Sequence, residues 1–415
     1  MLKRLGALAL AGMAVAGMTL WIAPRAQGAN DPDPAGLTVH EWGTFTSIAG
    51  PDGQAVEWRP LTGPSDLPCF VSVLNPGSIK TAAPGGVLGV SATVRMETPV
   101  LYFYASRETT VRASVEFPHG VISEWYPQAR VPLVAPVPTM ASARGSITWN
   151  DVKISPGAKR SFLTEPGESH YYAARETDAA PVEVAGQTEK FLFYRGLASF
   201  PLPLNVKVNR QGNVVVNESE DPAIDNFVLF ERRGSRVGYR ALRTGGGNVV
   251  MARPELTGTM ESLRQELRGI LTAQGLYPRE AAAMVETWRD SWFEEGARLF
   301  YVLPQAAVDA LLPLRIDPKP ASVTRVFVGR VEIVTPQIET EVAQAIRAGD
   351  QAVLRKYGRF LEPISRMVEA RLSATHDEGK IAEATRTVAS RQTPAAACPA
   401  PGSAKPAAPS PPSIQ

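Results

Sequence analysis

Strict alternation of apolar and polar residues marks the segment TVRASVEF (Thr110–Phe117). Valine, alanine and phenylalanine occupy every second position, while threonine, arginine, serine and glutamate occupy the others. Successive side chains of a β-strand point to opposite faces, so this period of two predicts a strand with one buried face. Strands of this kind are typical of antiparallel sheets.

Comparable short runs extend from about Leu37 to Met251, interrupted by Gly, Pro, Asn and Asp. The predicted strands are Leu37–Ile48, Val94–Ala105, Thr109–Phe117, Val121–Tyr126, Ser146–Ile154, His170–Ala174, Lys190–Leu197, Asn205–Asn209, Asn213–Val216, Asn226–Glu231 and Val237–Leu242. Long helical patterns are missing from this part of the sequence. Residues 36–255 are therefore predicted to form an antiparallel β-sandwich.

The period changes to that of an α-helix after about Thr257. Gly275 is expected to end the first helix, Pro278 to start the second, and Thr335 to cap a later one. Two further strands are predicted, at Arg298–Leu303 and Val323–Val334. Residues 257–375 thus form a predicted α-rich domain with a few strands. The predicted fold is mainly β, an antiparallel β-sandwich followed by an α+β helical domain.

Both ends of the chain differ in composition from its middle. Residues 1–29 have two early positive charges, an uncharged run (Leu5–Ile22) and small residues before Ala29, which predicts a signal peptide or a membrane anchor. The protein is then periplasmic or extracellular, or anchored in the inner membrane facing the periplasm, with membrane contact only through this segment. Residues 393–415 are rich in Pro and Ala and are predicted to be disordered.

Charge and cysteine content exclude several functional classes. The net charge of +2, with interspersed signs, does not indicate a nucleic-acid-binding surface. The two cysteines, Cys69 and Cys398, are too few for a Cys-rich zinc site, and a bridge between them is not expected because Cys398 lies in the tail. The sequence lacks Gly-x-Ser-x-Gly, His-Glu-x-x-His and a phosphate-binding loop. We therefore predict no cofactor.

Three charged residues fall on apolar faces of predicted strands. By alternation, Glu41 shares a face with Phe45, Glu97 with Leu101 and Phe103, and Arg195 with Phe193. An unpaired buried charge is costly, so we hypothesise that Arg195 pairs with Glu41 or Glu97. The alternative makes Glu41 and Glu97 the acid and base of a glycoside hydrolase.

Aromatic residues and histidines supply the other candidates. His40 and Trp42 flank Glu41 and are candidate binding residues, together with Arg195. Trp288 and Trp292 share a helical face, which suits either a glycan platform or, more commonly, the packing of that helix on the β-sheet region.

Three histidines, His40, His119 and His170, lie in the predicted β region. They are either an open metal site or independent turn and surface residues, and we assign no metal ligands. His119, in Pro118-His119-Gly120, is predicted to occupy a turn between two strands.

Three segments together resemble a set of uncharacterised exported bacterial proteins. They are HEWGTFTS (His40–Ser47), RMETP (Arg95–Pro99) and RVFVGR (Arg325–Arg330). The resemblance covers most of the mature chain, with the octet near the mature N-terminus. It implies export and a shared two-part architecture, and it implies no activity and no catalytic residues.

These observations leave three functions open. The favoured hypothesis is an exported cell-envelope or binding protein without catalysis, with a glycan or an envelope protein as its partner. The alternative is a secreted hydrolase, acting on glycans through Glu41 and Glu97. A weaker alternative is a metal-binding exported protein. Because β-sandwiches host all three functions, the fold alone does not decide between them.

Overall fold

The computed structural model describes residues 36–61, 67–74, 91–132, 139–167, 169–218 and 224–373. The predicted leader, the predicted tail and Cys398 lie outside these ranges. Within them the protein is mainly β, with several antiparallel sheets and a helical C-terminal region. No helix of the described ranges is long and apolar enough to cross a membrane.

The described residues contain strands in three sheets. In chain order they are β1 (Thr38–Ala49), β2 (Ser72–Val73), β3 (Val94–Tyr104), β4 (Thr109–Pro118), β5 (Gly120–Tyr126), β6 (Arg144–Ile154), β7 (Val182–Val184), β8 (Gln187–Glu189), β9 (Leu192–Ala198), β10 (Leu204–Val208), β11 (Val214–Glu218), β12 (Asn226–Arg233), β13 (Arg236–Arg243), β14 (Val249–Met251), β15 (Gly296–Leu303), β16 (Leu314–Asp317) and β17 (Ser322–Ile333). Most of these positions follow the alternation in the sequence.

A nine-stranded central sheet has the order β13-β12-β15-β17-β1-β3-β9-β5-β2. β1 lies near its middle, where it pairs in parallel with β17 and antiparallel with β3. The two smaller sheets have the orders β16-β4-β6-β7-β8 and β10-β11-β14. One hydrophobic core joins Phe45 and Phe327 of the central sheet to Val115 and Trp149 of the five-stranded sheet and to Val216 of the three-stranded sheet.

Helices accompany the second half of the described chain. They are α1 (Met260–Ala273), α2 (Pro278–Thr287), α3 (Arg289–Trp292), α4 (Gln305–Leu311), α5 (Pro336–Ala348), α6 (Gln351–Arg355) and α7 (Leu361–Ser373). Short 3-10 helices occur at Met140–Ser142, His170–Arg175 and Gly358–Phe360. The helices α1–α3 pack on the other face of the central sheet, beside Trp42 and Val328. A third core joins α5–α7 to Ile48 and Trp58.

Capping residues place the helix ends where the sequence predicts them. Thr335 accepts a hydrogen bond from the backbone N–H of Ile338, with Pro336 as the first helical residue. Gly349 ends α5 in the left-handed conformation, with φ +67°, which glycine adopts without steric cost. Asp350 then caps α6. The predicted turn at His119 is also confirmed, since that residue joins β4 to β5 with φ +66°.

One predicted strand, His170–Ala174, is wrong. These residues form a 3-10 helix, whose first turn is capped by the hydroxyl of Ser169 accepting from the N–H of Tyr171. Burial of Tyr171 against Phe193 and the pairing of Arg175 with Glu189 hold the turn in place. The short apolar run therefore reflects tertiary packing of a turn and not a pleated strand.

The division of the chain near residue 256 is not confirmed. β15 and β17 follow that boundary in sequence, yet they lie between β12 and β1 in the central sheet. Their hydrogen bonds to β1 and β12 make residues from both sides of the boundary one continuous sheet.

Cys69 is disulfide-bonded, contrary to the expectation from the sequence. The backbone N–H of Cys69 also donates to Glu165, at 2.9 Å.

Candidate functional site

The octet HEWGTFTS forms the buried middle of β1. Alternation divides it between the two faces of the central sheet. Glu41 and Phe45 face the core shared with the smaller sheets, whereas His40, Trp42, Thr44 and Thr46 face the helices. The octet therefore carries polar groups into both cores of the protein.

Glu41 forms a buried ion pair with Arg325, its register partner on β17. Arg325 Nε donates to Glu41 Oε2 at 2.6 Å, and the Tyr194 hydroxyl donates to Oε1 at 2.6 Å. Burial alone would lower the pKa of Arg325, but the negative charge of Glu41 outweighs it and raises the pKa. Burial and the neighbouring Glu41 also raise the pKa of Tyr194. Each carboxylate oxygen of Glu41 thus has a buried hydrogen-bond donor.

Glu97 lies within a cluster of arginines, here called the arginine cluster. The cluster consists of Arg95, Arg195, Arg330 and Arg359, whose positive charges act on Glu97. Arg359 Nη1 donates to Glu97 Oε1 at 2.5 Å. Burial would raise the pKa of Glu97, but the charges of Arg359, Arg95, Arg330 and Arg195 together lower it below its ordinary value. Glu97 is therefore ionised although only 1% of its surface is exposed.

A β-bulge at Thr98 gives Glu97 its orientation. The pairing of β3 with its neighbours shifts between Met96 and Val100, and Thr98 has φ +46°. Gly43 faces the bulge, where an added Cβ would lie 3.2 Å from Pro99 Cα. Bulges and unusual backbone angles are over-represented near functional sites, which draws attention to this part of the sheet.

The bulge also corrects the prediction that Glu97 shares a face with Leu101 and Phe103. Those two residues belong to the core on the side of the smaller sheets, as does Met96. The extra residue shifts the alternation, so Glu97 points to the helices, where Arg359 lies. The structure therefore does not bring Glu41 and Glu97 together: they lie on opposite faces of the central sheet.

Arg195 lies on the helix-facing side, as its alternation with Phe193 predicts. Its Nε and Nη2 donate to Thr98 Oγ1 at 3.2 Å each, and its charge contributes to the lowered pKa of Glu97. Arg195 is the register partner of Glu124 on β5. The hypothesis that Arg195 pairs with Glu41 is therefore wrong, because the partner of Glu41 is Arg325. Arg195 is instead one of several arginines around Glu97.

His40 pairs with Glu280 of α2, a residue that the sequence did not single out. The distance from His40 Nδ1 to Glu280 Oε2 is 2.7 Å, and both side chains are buried. The same carboxylate accepts the backbone N–H of Tyr277 at the start of α2. The available signal was the position of Glu280 in the first turn of a helix that Pro278 begins, where its carboxylate accepts the backbone N–H of Tyr277.

The tryptophans are core residues. Trp42, Trp288 and Trp292 are at most 3% exposed, and all three belong to the core beneath α1–α3. Trp288 and Trp292 stack on each other, and Trp292 lies 5.3 Å from the ring of Phe300 in β15. They attach the helix to the sheet and offer no exposed aromatic platform.

The three histidines of the β region have separate partners. His40 pairs with Glu280, His119 Nδ1 lies 2.7 Å from the carbonyl of Ala141, and His170 Nδ1 lies 2.9 Å from Asp290. Among the described residues, no group of three or more His, Cys, Asp or Glu side chains is arranged to hold a metal ion.

A concave surface lies between α5, α7 and the loop after β1. It encloses about 620 Å³, within the size range of small-ligand sites. Its lining is Pro51, Val56, Glu57, Glu339, Pro363, Arg366, Met367, Ala370 and Arg371. Arg371 pairs with Glu339, and Arg366 with Glu362, so the charged rim is balanced. No site residue predicted from the sequence lines this cavity.

Comparison with known proteins gives no further assignment, because no protein-family model and no curated protein matches the chain. The site must therefore be interpreted from its own geometry. Within the described residues, that geometry includes the buried ion pairs of Glu41 and Glu97 on opposite faces of the central sheet and an apolar concave surface beside α7.

Proposed function

We propose that this chain is an exported cell-envelope protein that binds a partner without catalysis. The observation that carries this proposal is the placement of Glu41 and Glu97 on opposite faces of the sheet, each in an ion pair with arginine. Glycoside hydrolysis needs two carboxyl groups that flank one bond, about 5–9.5 Å apart. A single substrate cannot reach both carboxylates across a packed sheet.

The partner we propose is an envelope protein rather than a glycan. Glycan-binding sites commonly present exposed aromatic rings, whereas Trp42, Trp288 and Trp292 are buried. The cavity beside α7 has an apolar lining that includes Val56, Met367 and Ala370. Apolar, concave surfaces of this size accommodate anchoring side chains of a protein partner.

Export is supported by the leader-like segment 1–29 and by the disulfide of Cys69. Disulfides persist in oxidising compartments such as the periplasm and are rare in the cytoplasm. We also infer that the sheets form the sandwich predicted from the sequence, since Phe45 and Val115 of different sheets share one core.

A hydrolase screen tests the absence of catalysis. Wild-type protein, Glu41→Gln and Glu97→Gln are incubated with cell-wall and plant glycans, with the exposed Glu116→Gln as a matched control. We expect no release of reducing sugar above buffer from any of the four. The proposal would be overturned if wild type and Glu116→Gln released sugar while Glu41→Gln and Glu97→Gln, although folded, did not.

N-terminal sequencing tests export. In a bacterial host, protein recovered from the periplasm or the medium is expected to begin after Gly28 or Ala29. An intact Met1 in the inner-membrane fraction would instead identify the anchored form. Full-length protein found only in the cytoplasm would contradict export in both forms.

A further inference from the structure

β13 lies at one edge of the central sheet, and the proposed function does not use it. Among the described strands, β12 is its one neighbour. A strand at a sheet edge presents a row of backbone N–H and C=O groups that can pair with another chain. No residue of β13 lines the cavity beside α7, so this edge is a separate surface.

The turn between β12 and β13 determines which backbone groups of β13 point outward. Arg233 and Arg236 flank a two-residue turn and form the first hydrogen-bonded pair of the hairpin. Bonded and non-bonded pairs alternate along an antiparallel ladder, so Val237 is the first residue whose N–H and C=O point away from β12. The structure agrees, since the C=O of Val237 accepts the N–H of Gly258 at 2.9 Å. Every second residue after Val237 therefore turns its backbone groups outward.

The chain covers this edge at one point and leaves the rest of it open. An added Cβ at Gly238 would clash with the carbonyl oxygen of Glu255, so the segment before α1 passes against β13 there. Beyond this point the outward residues are Tyr239, Ala241 and Arg243. Their outward N–H and C=O groups make no hydrogen bond with the described residues, and the last four residues of β13 are exposed.

β13 is also strongly basic. Arg236, Arg240 and Arg243 occur within its eight residues, and the strand has no acidic residue. Arg243 Nε donates to the side-chain oxygen of Asn226, at 3.3 Å. None of the three arginines forms an ion pair with a carboxylate of the described residues. The exposed edge therefore favours a partner with negative side chains, because complementary charges steer and select the partner of an interface.

A second copy of this chain fits the edge less well. Antiparallel pairing of two β13 strands would bring the arginines of both copies into one small interface that gains no acidic residue from either strand. Like charges across a strand pair are destabilising. Charged residues on an edge are one of the means by which proteins prevent pairing between copies. The same charges attract an extended segment that carries acidic residues.

The two faces of β13 specify the partner further. Arg240 and Leu242 point to one face of the sheet, whereas Ala241 and Arg243 point to the other. Leu242 is a large apolar residue and is 37% exposed. Side chains directly opposite each other on paired strands interact. A strand that runs antiparallel to β13 therefore suits the order acidic, apolar, apolar, acidic, opposite residues 243, 242, 241 and 240.

We propose that β13 binds an extended acidic segment of a partner protein as an additional antiparallel strand. Hydrogen bonds to the outward backbone groups supply affinity, and the side chains opposite Arg240, Leu242 and Arg243 supply specificity. This inference rests on the proposed function of a non-catalytic binding protein and defines the chemistry of its partner. Its test measures peptide binding in solution, so its failure is distinct from a positive hydrolase screen or a failure of export.

Binding of two fluorescein-labelled heptapeptides to the full-length protein tests the proposal. Thr-Glu-Val-Val-Glu-Val-Thr has the order acidic, apolar, apolar, acidic, and Thr-Lys-Val-Val-Lys-Val-Thr reverses the charge. By fluorescence anisotropy, we expect saturable binding of the acidic peptide that is about tenfold or more tighter than binding of the lysine peptide. Equal affinity for the two peptides, or no saturation with the acidic peptide, would overturn the proposal.

Substitutions at Ala241 test the pairing of backbones. The N–H of Ala241 points away from β12, so Ala241→Pro removes a donor for the partner while the hydrogen bonds to β12 remain. Proline is tolerated on edge strands at positions of this kind. We expect Ala241→Pro to weaken binding of the acidic peptide about tenfold, whereas Ala241→Val keeps the N–H and retains the wild-type affinity. Equal affinities of the two variants would contradict strand addition.

A charge reversal tests the role of the arginines without altering the backbone. Arg240→Glu is expected to weaken binding of the acidic peptide about tenfold and to strengthen binding of the lysine peptide. Arg210→Glu is the matched control, because Arg210 is an exposed arginine between β10 and β11. Equal losses in the two variants would show a non-specific effect of net charge and would overturn the proposal.

Two measurements on the protein without peptide test other occupants of the edge. We expect Ala241→Pro to leave the sedimentation coefficient unchanged; a dimer that this variant dissociates would show that a second copy covers β13. In hydrogen exchange resolved to single amides, we expect the N–H groups of Ala241 and Arg243 to exchange rapidly and to be protected by the acidic peptide. Protection in the free monomer would show that this chain covers its own edge, which would also overturn the proposal.

Discussion

Replacing Arg325 with methionine is expected to lower the free energy of unfolding by about 3–5 kcal/mol, the usual cost of leaving one partner of a buried ion pair unpaired. Glu41 would then remain in an apolar core with the Tyr194 hydroxyl as its one side-chain donor among the described residues, since its present cation is Arg325 at 2.6 Å. Urea unfolding at pH 7, followed by tryptophan fluorescence, measures the loss.

Removing the whole ion pair is expected to cost much less than removing half of it. In the triple variant Arg325→Met, Glu41→Leu, Tyr194→Phe, no member of the buried group keeps an unpaired charge or hydroxyl, so most of the lost stability should return. Asp309→Asn is the control, because Asp309 also contacts Arg325 but is 52% exposed, and we expect it to cost about 1 kcal/mol or less. A loss in Arg325→Met no larger than that of Asp309→Asn would show that Glu41 does not depend on its arginine.

Local features of the fold were predictable from the sequence. The alternation in Thr110–Phe117 predicts β4, and the cap at Thr335 with the stop at Gly349 predicts α5, because each signal is contained within a few neighbouring residues. The prediction of a strand at His170–Ala174 was wrong because it used a local signal that was too short. A run of five residues carries too little periodic information to distinguish a strand from a turn.

Long-range pairing was not predictable in this way. The parallel pairing of β1 with β17 joins segments 284 residues apart, and nothing in either segment specifies its neighbour. Because β17 inserts beside β1, the predicted boundary between a β half and a helical half does not divide the central sheet. Periodicity identifies a strand but contains no information about which strand lies next to it.

The candidate site shows the same limit. The argument that a carboxylate on an apolar face needs a cation correctly indicates that Glu41 is paired, but it cannot choose Arg325 over Arg195. Arg325 and Arg330 also occur on an apolar strand, so the same signal was present there. The orientation of Glu97 was unpredictable because it depends on the bulge at Thr98, which breaks the alternation that the prediction assumed.

Replacing Glu97 with glutamine is expected to destabilise the protein at neutral pH by about 3–5 kcal/mol, because the arginine cluster loses its buried counter-ion. The loss should disappear in acid. The arginine charges lower the pKa of Glu97 in the folded protein, against the opposing effect of burial. Its contribution is therefore complete above the unfolded-state pKa of about 4.3 and is lost as the pH falls through the lower folded-state value.

The measurement is the difference in unfolding free energy between wild type and Glu97→Gln from pH 7 to pH 2.5. All other carboxylates are present in both proteins, so their contributions to the unfolding free energy cancel in this difference. A decrease of the difference below about pH 4 therefore reports the protonation of Glu97 alone. Glu341→Gln is the control. Burial raises the pKa of Glu341, but its hydrogen bond and ion pair with Lys356 outweigh burial and lower the pKa, and the side chain is 33% exposed. We expect Glu341→Gln to lower the free energy of unfolding by about 1 kcal/mol or less. A difference for Glu97→Gln that stays constant across this range would mean that altered packing at the bulge, and not the charge of Glu97, causes the loss.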